Sequence, residues 1–89
     1  MTPYIVILSF LAARRPSAYT AAAIADRVNL CGRLDKRMDE AAVERELLLM
    51  ADRYALAVHA VYPTDGQVYW NATPAGVEAW RELGSPHVA

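Results

Sequence analysis

The chain has 89 residues and a mass of 9.8 kDa, which suits a single domain, residues 1–89, built around one hydrophobic core. Apolar residues make up 55% of it and charged residues 21%, a composition that excludes a disordered tail and a fibrous or low-complexity protein. Nine Lys and Arg against ten Asp and Glu give a net charge of −1, so no overall positive field would attract nucleic acid or anionic lipid.

A first helix of about three turns is predicted between Thr2-Pro3, an N-cap followed by a proline at the first helical position, and Arg15-Pro16. Arg14 and Arg15 would lie at the negative end of its dipole and are expected to cap it. The helix is apolar nearly all the way round, which is more than the single stripe that a surface helix needs. We therefore expect a homodimer in which a second copy covers the other face of helix 1.

A second helix is predicted after Ser17 and Thr20, either of which can cap it. Its alanines favour helix, and Ile24 and Val28 recur at the spacing of one turn. This helix is expected to run to about Asn29. The next segment, residues 30–38, contains a glycine and clustered charge, and the sequence leaves its conformation open.

Asp39 begins a third helix that is predicted to end near Arg53. Three apolar residues at i, i+4 and i+7 give this helix its core face: Val43, Leu47 and Met50.

From residue 56 to residue 61 the apolar period changes to two, which predicts a strand. Residues 63–66 have the composition of a turn, and residues 67–72 are predicted to return as the second strand of a hairpin. Thr73 followed by Pro74 then marks the start of a fourth helix. Helical spacing and helix-ending residues complete this last element: Val77, Trp80 and Leu83, followed by Gly84 and Pro86.

Three helices, a β-hairpin and a closing helix are the element order of a winged helix, an α+β fold in which helices 2 and 3 form a helix-turn-helix and the hairpin is the wing. The stretch Thr20–Ala25 resembles the capped second helix of MarR-like and PadR-like bacterial regulators. The face formed by Val43, Leu47 and Met50 resembles the core face of their recognition helix. Tyr69–Gly76 resembles their second wing strand running into a Thr-x-x-Gly helix start. The resemblance spans most of the chain and implies a dimeric DNA-binding transcription regulator.

Three features depart from the pattern of these regulators. The connection from Ile24 to Val43 is several residues longer than usual, and Tyr54-Ala55 stand where a glycine commonly follows the recognition helix. The third departure concerns charge, because the N-terminal part of a recognition helix should approach the DNA bases. That part of helix 3 has four acidic residues against Arg45: Asp39, Glu40, Glu44 and Glu46.

A DNA-binding function would require a local basic surface despite the nearly neutral total charge. Arg45 is then the candidate for reading a base, and a wing residue, Gln67 or Thr64, would reach the DNA backbone. Three cations would anchor phosphates: Arg33, Lys36 and Arg37. With this assignment, Arg37→Ala would weaken binding to all sequences, and Arg45→Ala would relax the preference at one base pair.

Three other interpretations of the charged run are open. It can be a solvated helix face in which Lys36 and Glu40 pair one turn apart. It can also make the domain a protein-interaction or inhibitory module that contacts a partner through acidic helix 3 and binds no DNA. A nucleic-acid mimic is the weakest alternative, because ten carboxylates are matched by nine cations.

Catalytic, metal-binding and cofactor functions are not expected, because no nucleophile–base arrangement, no zinc-type spacing and no Gly-rich phosphate loop are visible. Cys31 cannot form an intramolecular disulfide, which suits the cytoplasm. His59 is expected to be structural, and Trp70 and Trp80 are expected to belong to the core. The apolar run of residues 4–13 is too short to span a bilayer, so no membrane association is expected.

Overall fold

Four helices and a two-stranded antiparallel hairpin make up the fold in the computed structural model, which describes residues 1–52 and 57–88. The prediction of a mixed α+β layout with this element order is confirmed. In chain order the elements are α1 (Pro3–Ala13), α2 (Ala21–Leu30), α3 (Glu40–Asp52), β1 (Val58–Val61), β2 (Tyr69–Ala72) and α4 (Pro74–Glu82).

Helix α1 lies at the centre of the domain and packs on α2, α3, α4 and β2. Five of its large apolar side chains have no exposed surface: Val6, Ile7, Leu8, Phe10 and Leu11. The reason for expecting a dimer through helix 1 was therefore wrong, because the chain's own elements cover both faces of this helix. Its all-round apolar pattern is that of a central core helix.

The two ends of α1 are fixed by polar contacts. The Thr2 hydroxyl accepts a hydrogen bond from the backbone N–H of Ile5 at 3.3 Å, and Pro3 occupies the first turn, as predicted. At the other end, Arg14 donates to the carbonyl of Phe10 at 3.1 Å and therefore caps the helix. Arg15 instead donates through Nε to the carbonyl of Ala72 in β2, at 3.2 Å.

Helix α2 begins at a Thr20 cap, whose hydroxyl accepts from the N–H of Ala23 at 3.2 Å. The connection to α3 has no regular helix, and a side chain of α2 ties it down. The Asn29 amide donates to the carbonyl of Met38 at 2.7 Å, and its oxygen accepts from the Met38 N–H at 2.9 Å. The α2–α3 connection thus folds against the domain, a point that the sequence had left open.

Helix α3 has the core face predicted for it, because Val43, Leu47 and Met50 are all fully buried. The Asp39 carboxylate accepts from the N–H of Ala42 at 2.8 Å at the start of the helix. The predicted end near Arg53, the Tyr54-Ala55 pair and the first strand residue, Leu56, lie outside the described residues.

The hairpin pairs β1 with β2 in antiparallel register, with Val58 opposite Ala72 and Val61 opposite Tyr69. The second strand is shorter than predicted, because residues 67 and 68 belong to the loop. Gly66 in the turn has a φ of 79°, which a residue with a Cβ rarely adopts.

A backbone bridge that the sequence did not indicate joins the α1–α2 connection to the hairpin. The Tyr19 N–H donates to the Trp70 carbonyl at 2.9 Å, and the Trp70 N–H donates to the Tyr19 carbonyl at 2.8 Å. Tyr19 thereby holds β2 from the side opposite β1.

The Thr73-x-x-Gly76 motif has a structural role at the start of α4. The Thr73 hydroxyl accepts from the N–H of Gly76 at 3.0 Å, and Pro74 occupies the first helical position. The Thr73 N–H donates to the carbonyl of Ala57 at 2.9 Å, which brings the Ala57 backbone against the Cα of Gly76. The helix and the residue preceding β1 meet here at backbone distance.

Candidate functional site

The predicted phosphate-binding cations lie together on the α2–α3 connection. Arg33, Lys36 and Arg37 are all exposed, and within the described residues none of their side chains has an ion-pair partner. The ammonium group of Met1 donates to the carbonyl of Arg33 at 2.9 Å, so the loop lies beside the start of α1. Lys36 lines a depression of about 270 Å³ between this connection and the chain start, together with Met1, Pro3, Leu34, Asp35 and Met38.

Arg45 is exposed on α3, and the surface depression that it lines is not the one that Lys36 lines. It is the only cation in α3, against four carboxylates: Glu40, Glu44, Glu46 and Asp52. The four predicted cations thus belong to two elements, three to the α2–α3 connection and one to α3.

Gln67, the predicted wing residue, lines a cleft of about 250 Å³ between the hairpin, the start of α2 and the first turns of α3. The side chains that it meets there include Glu40 and Glu44, together with Thr20 and Trp70. Helix α3 and the wing thus enclose a surface with two carboxylates and no cation among its lining residues. A DNA strand lying between them would face like charge.

The outward face of α3 has an apolar centre that the sequence analysis missed. Leu48 is 52% exposed and Leu49 is 36% exposed, and they line an open depression of about 380 Å³ together with Arg45 and Asp52. We call these four residues the α3 face. The signal was the run Leu47-Leu48-Leu49, because consecutive helical residues point about 100° apart and only Leu47 could fit the core stripe.

The hairpin turn is braced by a carboxylate. Asp65 accepts hydrogen bonds from the Tyr69 hydroxyl at 2.6 Å and from the Gln67 N–H at 3.0 Å. The Tyr69 hydrogen bond, more than that from Gln67, lowers the pKa of Asp65 below its ordinary value of 3.8. Because the folded-state pKa is lowered, this bracing stabilises the turn above pH 3.8 and is lost as the pH falls through the lowered value.

The other side chains considered in the sequence differ in how far they are buried. Trp70 is 5% exposed and belongs to the core, as predicted, whereas Trp80 is half-buried and donates to the carbonyl of Pro86 at 3.0 Å. His59 is exposed on the strand face opposite buried Val58. Cys31 is half-buried, and its thiol donates to the carbonyl of Val28 at 3.0 Å.

Two further observations apply to residues 1–52 and 57–88. No helix there has the length and apolar character needed to cross a bilayer. The same residues bring no three His, Cys, Asp or Glu side chains together as a metal site would require.

No protein-family model, curated protein or solved structure matches this chain. The resemblance to MarR-like and PadR-like regulators therefore stays a prediction from the sequence, and a function has to be argued from the surfaces just described.

Proposed function

We propose that this protein is a protein-interaction module with a winged-helix layout, and that it contacts its partner through the α3 face. The observation that carries this proposal is the pair of exposed leucines on the helix that would otherwise have to read DNA. The element order supports the layout, and so does the Tyr19 bridge, which adds a short third pairing beside the hairpin. Cys31 without a disulfide partner supports the cytoplasm as the compartment.

Charge favours a protein partner over DNA at this helix. A carboxylate about 4 Å from a phosphate costs about 1 kcal/mol in water and about 4 kcal/mol at an effective dielectric constant of 20. A well-formed arginine–guanine contact contributes about 1–3 kcal/mol of discrimination. Glu40 and Glu44 line the cleft between α3 and the hairpin, whereas Arg45, the only cation of α3, lines a different depression, so Arg45 would not offset the repulsion that phosphates meet in the cleft.

Apolar exposure favours the same conclusion. Burying a leucine side chain fully contributes about 1.5–3 kcal/mol. Because Leu48 and Leu49 are adjacent and flanked by charge, the α3 face has the apolar centre and polar rim of a contact surface. Leucines that stay in water, or that face a polar DNA groove, would not gain this free energy of burial.

Leu48→Asp is expected to reduce partner retention at least about tenfold, because it places a charge at the centre of the apolar contact. The measurement is capture of proteins from a nuclease-treated lysate of the source cells on immobilised parent and variant. Leu83→Asp is the matched control, because Leu83 is 46% exposed at the end of α4, a helix that packs mainly on α1 and β2. A protein retained by the parent and by the Leu83 variant, but lost with the Leu48 variant, is the expected result. Equal retention by both variants would contradict the proposal.

A DNA-binding transcription regulator is the second candidate, and the three exposed, unpaired cations of the α2–α3 connection favour it. In that case labelled duplex DNA of random sequence would bind at low salt and dissociate steeply as salt rises. Arg37→Ala would reduce the salt slope by about one while leaving the fold intact. The interaction module predicts no salt-sensitive anisotropy change in this titration, so binding with a steep slope would favour the regulator.

A further inference from the structure

We propose that the partner of the α3 face is a second copy of this chain, docked antiparallel about a twofold axis that passes between Leu48 and Leu49. This inference rests on the proposed function, because it names the partner of the same surface. It replaces helix 1 by α3 as the self-association surface.

The α3 face has a symmetric order of side chains along the helix. Arg45 and Asp52 are seven residues apart, which places them on nearly the same side of the helix and about 10 Å apart along its axis. The two exposed leucines lie midway between them. Among the described residues neither Arg45 nor Asp52 has an ion-pair partner, so both charges are available to an incoming molecule.

This order is complementary to itself only when two helices run antiparallel. Around an axis between residues 48 and 49, Arg45 meets Asp52 of the partner subunit, and Leu48 meets Leu49 of the partner subunit. A twofold contact forms each of these pairs twice, because both subunits use the same surface. A parallel arrangement in register would place Arg45 beside its own copy and Asp52 beside its own copy.

Two carboxylates at the start of α3 do not oppose this contact. Glu40 and Glu44 line the cleft toward the hairpin and therefore lie to the side of the α3 face. A partner of one charge sign would be attracted at one end of the face and repelled at the other. A second copy satisfies both ends, and this charge complementarity is what selects it.

The size of the face sets the expected strength. Stable complexes bury about 1,600 Å² in total, and one helix face centred on two leucines supplies less. We therefore expect a weak dimer whose weight-average mass rises between about 10 μM and about 1 mM in sedimentation equilibrium, the range of weak complexes.

Charge-swap variants test the pairing directly. Arg45→Asp alone and Asp52→Arg alone each turn both attractive pairs into repulsive ones, and each is expected to weaken the dimer at least about tenfold. An equimolar mixture of these two variants restores both attractive pairs in a heterodimer, and the double variant restores them in a homodimer. Arg37→Asp, the same change on the exposed α2–α3 connection, should leave the dimer unchanged, and circular dichroism checks that every variant folds.

The outcomes separate this inference from the proposed function. A parent chain that stays monomeric up to about 1 mM overturns the inference, as does a dimer that the single charge swaps do not weaken. A dimer that the swaps weaken but the mixture does not restore overturns the antiparallel pairing. If the parent is monomeric and a different protein is still captured in a Leu48-dependent way, the proposed function stands without this inference. If neither occurs, both fail.

Discussion

Replacing Gly76 with alanine is expected to destabilise the domain by about 3 kcal/mol or more, or to prevent folding. A Cβ at this position would overlap the carbonyl oxygen of Ala57 and would lie 2.9 Å from its carbonyl carbon. These are backbone atoms, so no change of side-chain rotamer can relieve the overlap. The hydrogen bond from Thr73 to Ala57 would have to lengthen for the helix to move away. In an open helix the same substitution stabilises by about 1 kcal/mol, so the sign of the effect is diagnostic.

Gly32→Ala is the matched control for this experiment. Gly32 has a φ of 73° and no heavy atom within 4 Å of an added Cβ, so its substitution carries only the backbone penalty of about 1–2 kcal/mol. Urea denaturation of the parent and both variants measures the difference. A Gly76 variant as stable as the Gly32 variant would show that α4 and Ala57 are not packed at backbone distance.

Phe10→Ala is expected to lower the free energy of unfolding by about 3–5 kcal/mol, the range for removing a buried aromatic side chain. The Phe10 side chain has no exposed surface, its ring centroid lies 5.0 Å from that of Tyr19, and the Arg14 guanidinium stacks on it at 4.2 Å. The loss would therefore affect the core and the end of α1 together. Small domains are stable by only about 5–15 kcal/mol, so this variant is expected to be close to unfolding at 25 °C.

Two control variants bracket this result in the same denaturation series. Phe10→Leu keeps most of the buried volume and is expected to cost clearly less than the alanine variant. Tyr62→Ala removes an aromatic side chain that is 75% exposed and should change stability by about 0.5 kcal/mol or less. A Phe10→Ala variant that loses no more than the Tyr62 variant would contradict the central position of α1.

The features that the sequence predicted correctly are those set by neighbouring residues. The caps at Thr2, Thr20 and Thr73 follow from the preference of a hydroxyl for the free N–H groups of a helix start. The core face of α3 follows from helical spacing alone. For the same reason the turn at Gly66 and the start of α4 were placed correctly.

The features that the sequence did not predict depend on contacts between distant residues. An all-round apolar helix is compatible with a core position or with a dimer contact, and only the packing of α2, α3, α4 and β2 around α1 decides between them. The bridge from Tyr19 to Trp70 joins residues 51 positions apart and leaves no local pattern. The candidate cations were found by residue type, but the way the α2–α3 connection folds back on Asn29 through Met38 depends on a contact that no local pattern indicates.

The contacts of the α1–α2 connection also protect the sheet from unwanted strand addition. A short two-stranded sheet exposes unpaired backbone groups along its outer strands, and other chains can add there as further strands, which leads to aggregation. Along β2 three of these groups are occupied: Tyr19 pairs with both the N–H and the carbonyl of Trp70, and Arg15 donates to the carbonyl of Ala72. The backbone groups of Trp70 and Ala72, two residues apart, point to the same edge of the strand. These contacts therefore block the addition of a further strand at this edge of the hairpin.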